Sequence, residues 1–213
     1  MRINIFLILF LCTSLTAFSQ FKIGFQFSPS LSANRVKLES QDYNIKSDGT
    51  ALKMAFGPIV DIPITDNYYV SSGLLYCSKR AGFEISDLNN VGPSVKEEYS
   101  LQYIQLPATM KLFTNEVSLD KKLYFQFGGL FEFNIKEEAD KQEYVLVDDF
   151  RFFDLTILAG MGMEYQLGTS TIVFGGLSYH RGLINAISDD IGGLGGDLSL
   201  KNDYFSLDLG IKF

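Results

Sequence analysis

Taken two residues at a time, the chain shows eight stretches in which apolar residues alternate with polar or small ones. They run over roughly 21–33, 51–63, 68–80, 99–113, 122–135, 151–166, 170–183 and 203–213. In the first, Ile23, Phe25, Phe27 and Leu31 alternate with Lys22, Gly24, Gln26 and Ser28. The second sets Leu52, Met54, Phe56, Val60 and Ile62 against Lys53, Ala55, Gly57 and Asp61. The fifth and sixth follow the same rule, with Leu123, Phe125, Phe127, Phe131 and Phe133 on one side and Phe153, Leu155, Ile157, Met161 and Met163 on the next. The seventh is the weakest, because Ile172 and Phe174 interrupt it. Period two is the signature of strands with two unlike faces.

The gaps between these stretches alternate in length. "ITDN", "TNEVSLD" and "LGTS" are short, whereas segments near 34–50, 81–98, 136–150 and 184–202 are long. Short turns at one end and long loops at the other predict an all-β, eight-stranded, antiparallel up-and-down transmembrane barrel. Both termini then lie at the short-turn, periplasmic end. Each stretch exceeds the roughly 9–11 residues needed to cross a bilayer as a tilted strand, so the strands are expected to project into the loops.

Alternation alone does not say which face is outside, because a soluble lipocalin-like barrel has the same period with its apolar face inward. Two features favour the membrane. The polar face is rich in small residues, including Gly24, Gly57, Gly73, Gly128, Gly160, Gly162 and Gly210. In a narrow lumen small residues make room for larger neighbours. The same face also carries five lysines (22, 53, 79, 111 and 212) and five acids (Asp61, Glu132, Asp154, Glu164 and Asp208). A closed interior demands such balance, since an unpaired buried charge is costly. A lumen filled in this way is not expected to conduct like a porin.

Charge elsewhere is uneven. The long segments 34–50, 81–98, 136–149 and 184–203 hold 17 acidic against 7 basic residues. The whole chain has 25 acidic and 18 basic residues and a net charge of −7, which argues against nucleic acid as a partner.

The first residues, Met1 and Arg2 followed by apolar Ile3 to Leu11 and a small-x-small pattern at Ala17 and Ser19, read as a signal peptide over 1–19, with the barrel domain over 20–213. Cys12 lies in that leader without a lipoprotein box, so no lipid anchor is expected. Cys77 is left without a disulfide partner. The expected location is the outer membrane of a Gram-negative envelope, with outer-membrane lipids as surroundings.

Several stretches together resemble one family. They are "KIGFQFSPSLS", "VSSGLLYCSKRAGF", "YIQLPATMKL" and "SYHRGLINAI", and they are similar to the PorT-type outer-membrane β-barrel proteins common in Bacteroidetes. The likeness spans nearly all of the chain after the leader. It implies an integral outer-membrane barrel without one fixed activity, some members being linked to protein secretion. The ending "LDLGIKF" also resembles the C-terminal signature of such barrels. This implies recognition of Leu207, Leu209, Ile211 and Phe213 by the barrel-assembly machinery.

Candidate chemistry is sparse. His180 is the sole histidine and lies two residues from Ser178. A lipid-modifying esterase would need these two and an acid such as Glu164. Strand rise separates i and i+2 by about 6–7 Å, too far for a hydrogen bond in a regular strand. "GGLGGDLSL" (192–200) resembles a single calcium-binding nonapeptide; such sites need stacked repeats, so a surface loop is expected. Glu137, Glu138, Asp148, Asp149, Asp189 and Asp190 are acidic loop residues able in principle to share divalent cations with lipid phosphates. Gly160-Met161-Gly162 lies inside a strand and lacks the third glycine of a nucleotide fingerprint.

No catalytic, cofactor-binding or metal residue is assigned, and no cofactor is expected. The expected role is a non-enzymatic envelope structural, binding or secretion-linked component. A soluble ligand-binding barrel, a lipid-modifying enzyme and a narrow channel are the alternatives.

Overall fold

The structure, a computed structural model, describes residues 21–38, 43–87, 94–141, 147–190 and 198–213. Its strands are β1 (Lys22–Leu38), β2 (Tyr43–Ser47), β3 (Thr50–Pro63), β4 (Tyr68–Gly73), β5 (Leu75–Asp87), β6 (Val95–Ser118), β7 (Lys121–Ala139), β8 (Val147–Phe150), β9 (Phe153–Gln166), β10 (Ile172–Gly182), β11 (Ile187–Asp190) and β12 (Leu198–Lys212). All pairings are antiparallel. The wall runs β1–β12–β10–β9–β7–β6, continues through β4 and β5 to β3, and closes on β1.

Strands β4 and β5 are two parts of one wall strand, parted at Leu74, so the ring has the expected eight staves. The parting has a covalent cause. The register of the neighbouring strands sets Pro58 and Pro107 beside it, and neither proline can donate a ladder hydrogen bond. The Leu74 amide still donates to the Pro58 carbonyl at 3.0 Å. Closure is completed by Ile23 and Phe213, which exchange both backbone hydrogen bonds, at 3.2 and 2.8 Å.

The apolar face points outward. Phe25, Leu52, Phe125, Phe127, Met161, Leu177, Phe205 and Leu209 are exposed around the wall, while Ser28, Ser30, Ser71, Thr109, Ser178 and Ser206 are buried inside it. A soluble ligand-binding barrel requires the reverse arrangement, so that alternative fails. The seventh stretch proves regular: Ile172 and Phe174 are buried in the lumen, and Val173, Gly175 and Leu177 lie on the other face. What looked like a broken alternation is a strand that fills the lower lumen with apolar side chains.

The strands project into the long segments, as their length predicted, and run well past the alternating stretches. β1 reaches Leu38, β5 reaches Asp87 and β6 begins at Val95, so much of 34–50 and 81–98 is strand. β2 pairs with the upper part of β5, and β8 pairs with β11 in a separate two-stranded sheet. At the other end the short turn is tighter than "TNEVSLD" implied, because β6 continues to Ser118 and the chain reverses at Leu119 and Asp120. The leader over 1–19 lies outside the described residues.

The small residues of the inner face do make room. A Cβ at Gly162 or at Gly176 would stand 2.5 Å from the Tyr124 hydroxyl, and one at Gly210 would stand 2.5 Å from the Phe174 ring. Gly176→Val should therefore destabilise the barrel by about 1–3 kcal/mol through overpacking. The added substitution Tyr124→Leu should recover part of that loss. Urea midpoints of the two single variants and the double variant test this coupling.

Candidate functional site: a polar lumen between two apolar plugs

Inward-facing residues form layers along the barrel axis. Near the short-turn end, Ile59, Leu75, Phe113, Tyr124 and Phe174 pack with Tyr69 into an apolar plug. At the long-loop end, Phe83, Leu101, Tyr99 and Leu200 of the wall pack against Val147 and Phe150 of β8 and Ile187 of β11. The two-stranded sheet thus serves as a lid with an apolar underside. Polar residues fill the space between and around these plugs.

The charges anticipated on the inner face pair with one another. Lys212 reaches both Asp61 and Glu164. Lys111 donates to the two oxygens of Asp61 at 3.1 and 3.2 Å. Higher up, Lys79 pairs with Glu132 and lies 3.8 Å from Asp154. Glu132 also accepts from Gln105 and from the Thr156 hydroxyl, the latter at 2.7 Å. The Lys79 ammonium sits 4.8 Å from the Tyr103 ring centre and 5.4 Å from that of Tyr204. Two of the five lysines depart from the expectation. Lys22 is half-buried over the Tyr69 and Phe113 rings at the lower mouth, and Lys53 reaches the Ser100 hydroxyl at 3.4 Å.

Asp208 is held differently. It accepts from the hydroxyls of Ser178 at 2.7 Å and Ser206 at 3.0 Å, and from Gln26 at 3.5 Å. Beside it, among Gln26, Ser30, Gln105, His180, Tyr204 and Ser206, lies a cavity of about 30 Å³, space for a water molecule or so.

The structure corrects the expectation for Ser178 and His180. Their side chains both turn into the lumen and meet, with Ser178 Oγ 2.8 Å from His180 Nε2. Glu164, however, is not near them; it belongs to the Lys212 cluster. The acid at hand is Asp208, and it takes its hydrogen bond from Ser178. In a nucleophilic triad the acid orients the base from behind. Here His180 Nδ1 has no partner among the described residues. The imidazole is instead fixed by stacking on Tyr204, with ring centres 4.1 Å apart. Serine, histidine and aspartate are all buried, beside a cavity far too small for a lipid.

Other sequence candidates fall apart or fall elsewhere. Glu137 is held above the usual carboxylate range by partial burial and by the charge of Asp149, and Asn134 donates to it at 3.3 Å. Glu138 pairs with Lys136. The side chains of Asp148, Asp189 and Asp190 lie outside the described residues. Among the described residues no group of three or more His, Cys, Asp or Glu side chains could hold a metal. Of the segment 192–200 expected as a surface loop, residues 192–197 lie outside the described residues; residues 198–200 open β12, with Leu198 and Leu200 buried under the lid. Gly160 and Gly162 belong to the wall strand β9, and Cys77 is a buried free thiol in the upper plug.

Sequence patterning set Tyr124 on the inner face but did not single out the aromatic members of this interior. Tyr103, Tyr124 and Tyr204 fall on the polar side of their strands; the glycines opposite Tyr124 were the signal available. On the outer side of the long-loop end, Arg80 ties Asp48 at 3.0 Å to Glu98, and Lys96 bonds Asp48 at 3.1 Å. The Lys96 and Arg80 hydrogen bonds hold the Asp48 carboxyl below its ordinary range.

With this geometry established, comparison with known proteins is informative. The family model described as "Outer membrane protein beta-barrel domain" matches residues 18–188. A search of curated proteins found no match. Among solved structures, the outer membrane protein OprG from Pseudomonas aeruginosa aligns at a TM-score of 0.55 and 12% identity, covering 91% of this chain and 95% of that one. Neisserial surface protein A aligns at 0.51 and 12% identity, covering 91% and 97%. At such identities the likeness concerns the fold alone.

The ion pairs give a measurable expectation. Lys212→Met should leave Asp61 and Glu164 buried without their shared cation and cost about 3–5 kcal/mol. Asp208→Asn should cost less, because its partners are neutral hydroxyl and amide groups. Urea unfolding from lipid vesicles ranks the two; equal losses would contradict this reading of the lumen.

Proposed function

This chain belongs to the outer membrane protein β-barrel domain family, and from that premise we propose that it is a non-enzymatic, non-conducting component of the cell envelope. The fold and family place it in the outer membrane. The observation that carries the rest of the proposal is the packed lumen. Apolar plugs at two levels and the paired Lys79, Lys111 and Lys212 occupy the described interior, which supports a lumen closed to bulk water. What such a protein offers to partners is its surface: the lipid-facing belt, the extended strands and lid at the long-loop end, and the short turns on the opposite side.

The PorT-type motifs support a narrower membership, next to secretion-linked barrels. "YIQLPATMKL" forms the middle of β6 and "SYHRG" the upper part of β10, so these motifs fall on the barrel wall and leave its partner surfaces open. The last strand, with Leu207, Leu209 and Phe213 exposed on its outer face, supports recognition by the barrel-assembly machinery.

Purified protein reconstituted in planar bilayers should give no conductance steps above the lipid background. In nanodiscs it should release no fatty acid from phospholipid or lipid A, and Ser178→Ala should not differ from the wild type. Discrete channels, or hydrolysis abolished by Ser178→Ala, would overturn the proposal.

A further inference from the structure

The outer surface of β1, β12 and β10 changes character in successive rows, fixed by the strand register. Leu31, Phe205 and Tyr179 stand side by side at the top of the apolar belt, with the Tyr179 and Phe205 rings 4.7 Å apart. The next row holds Ala33, Asp203 and Arg181. The row above pairs Arg35 directly with Lys201, and the one above that pairs Lys37 with Ser199. Alternation along each strand keeps all these residues on the outer face, because Asn202, Leu200 and Gly182 point inward and are buried. Four cations therefore gather on three adjacent strands immediately above the belt, in a chain whose long segments are acidic by 17 to 7.

Among the described residues, Asp203, which stands opposite Arg181, accepts from Arg35 at 2.5 and 3.1 Å, and no acidic side chain forms an ion pair with Arg181, Lys201 or Lys37. Arg35 is held across β12 by Asp203 and by the Gly182 carbonyl, which accepts at 2.8 Å, so the cations left to meet an anion are Lys201 beside it and Arg181 and Lys37 on either side. The exposed apolar belt ends at the row of Leu31, Phe205 and Tyr179, and a bilayer matched to that belt sets its outer-leaflet headgroups at the height of this patch.

We propose that Arg35, Arg181, Lys201 and Lys37 form a binding site for a phosphorylated outer-leaflet lipid. Its phosphate lies between Arg181 and Lys201, and its acyl chains lie on Phe205, Tyr179 and Leu31. Arginine supplies a planar fork matched to phosphate oxygens and lysine a point charge beside it. The aromatic pair below offers an apolar surface with a polar edge at the interface. This inference rests on the outer-membrane location and does not depend on whether the barrel conducts or catalyses.

The test uses the folded, full chain in a zwitterionic detergent. Binding of bisphosphorylated lipid A is compared with that of dephosphorylated lipid A and of inorganic phosphate, for the wild type, Arg181→Gln/Lys201→Gln and the opposite-side control Lys136→Gln. The double variant should bind bisphosphorylated lipid A at least tenfold more weakly, and the control should match the wild type. Dephosphorylated lipid A should bind wild type and double variant alike, and inorganic phosphate should not compete at equal concentration. A purely structural role is separated by thermal midpoints. Without lipid, the double variant should melt close to the wild type, since neither Arg181 nor Lys201 forms an ion pair among the described residues; with lipid A, the wild type should gain more. Unchanged binding in the double variant, equal wild-type binding of both forms of lipid A, or competition by inorganic phosphate would overturn the proposal. Should the double variant not fold, Lys201→Gln alone, expected to weaken lipid A binding severalfold, decides it by the same comparisons.

Discussion

A charge enclosed in an eight-stranded barrel has no bulk water to turn to, so the barrel must supply its partner. That constraint organises the interior. Lys212 can lie fully buried because Asp61 and Glu164 converge on it from two different strands. Lys79 can do so because Glu132, Asp154 and two tyrosine rings surround it. These links cross the lumen from stave to stave. They tie the wall together in a way that backbone ladders between neighbours do not. Leaving one partner unmatched is expensive, which favours one register and one closure.

The apolar plugs follow from the same narrowness. Glycines at 162, 176 and 210 remove side chains where Tyr124 and Phe174 need space, and at the other end β8 and β11 bring Val147, Phe150 and Ile187 down onto the extended wall. An interior so occupied directs attention outward. The cationic rows of β1, β12 and β10, and Lys96 with Asp48 above the buried Arg80, lie on surfaces a lipid or a partner can reach.

Much of this was legible in the sequence because period two is a direct geometric consequence of the strand. The inner acids Asp61, Glu132, Asp154, Glu164 and Asp208 were identified by parity alone, and all are buried. Parity names a face but not a height or a partner, so the pairing of Lys79 with Glu132 could not be read. It also misled where the inner face turns apolar, as at Ile172 and Phe174, because hydrophobicity was equated with the lipid side. The meeting of Ser178 with His180 was hidden for a different reason. Cα spacing along a strand does not fix where two side chains leaning into a narrow lumen end. That strands project beyond the belt followed from their length; how far β1, β5 and β6 reach was obscured by polar and acidic residues that resemble loop composition but pair as strands.

The central claim is that the interior is sealed at the long-loop end, and Cys77 reports on it directly. Its thiol is buried inside the wall, on β5 one inward position below Lys79, so a reagent entering from the long-loop end must pass the lid and the Lys79 layer to reach it. The rate at which a small, charged, membrane-impermeant thiol reagent labels the folded protein in lipid vesicles measures access to that point. The account predicts no labelling over hours until denaturant unfolds the barrel. Labelling of the folded protein at the rate of an accessible thiol would contradict it.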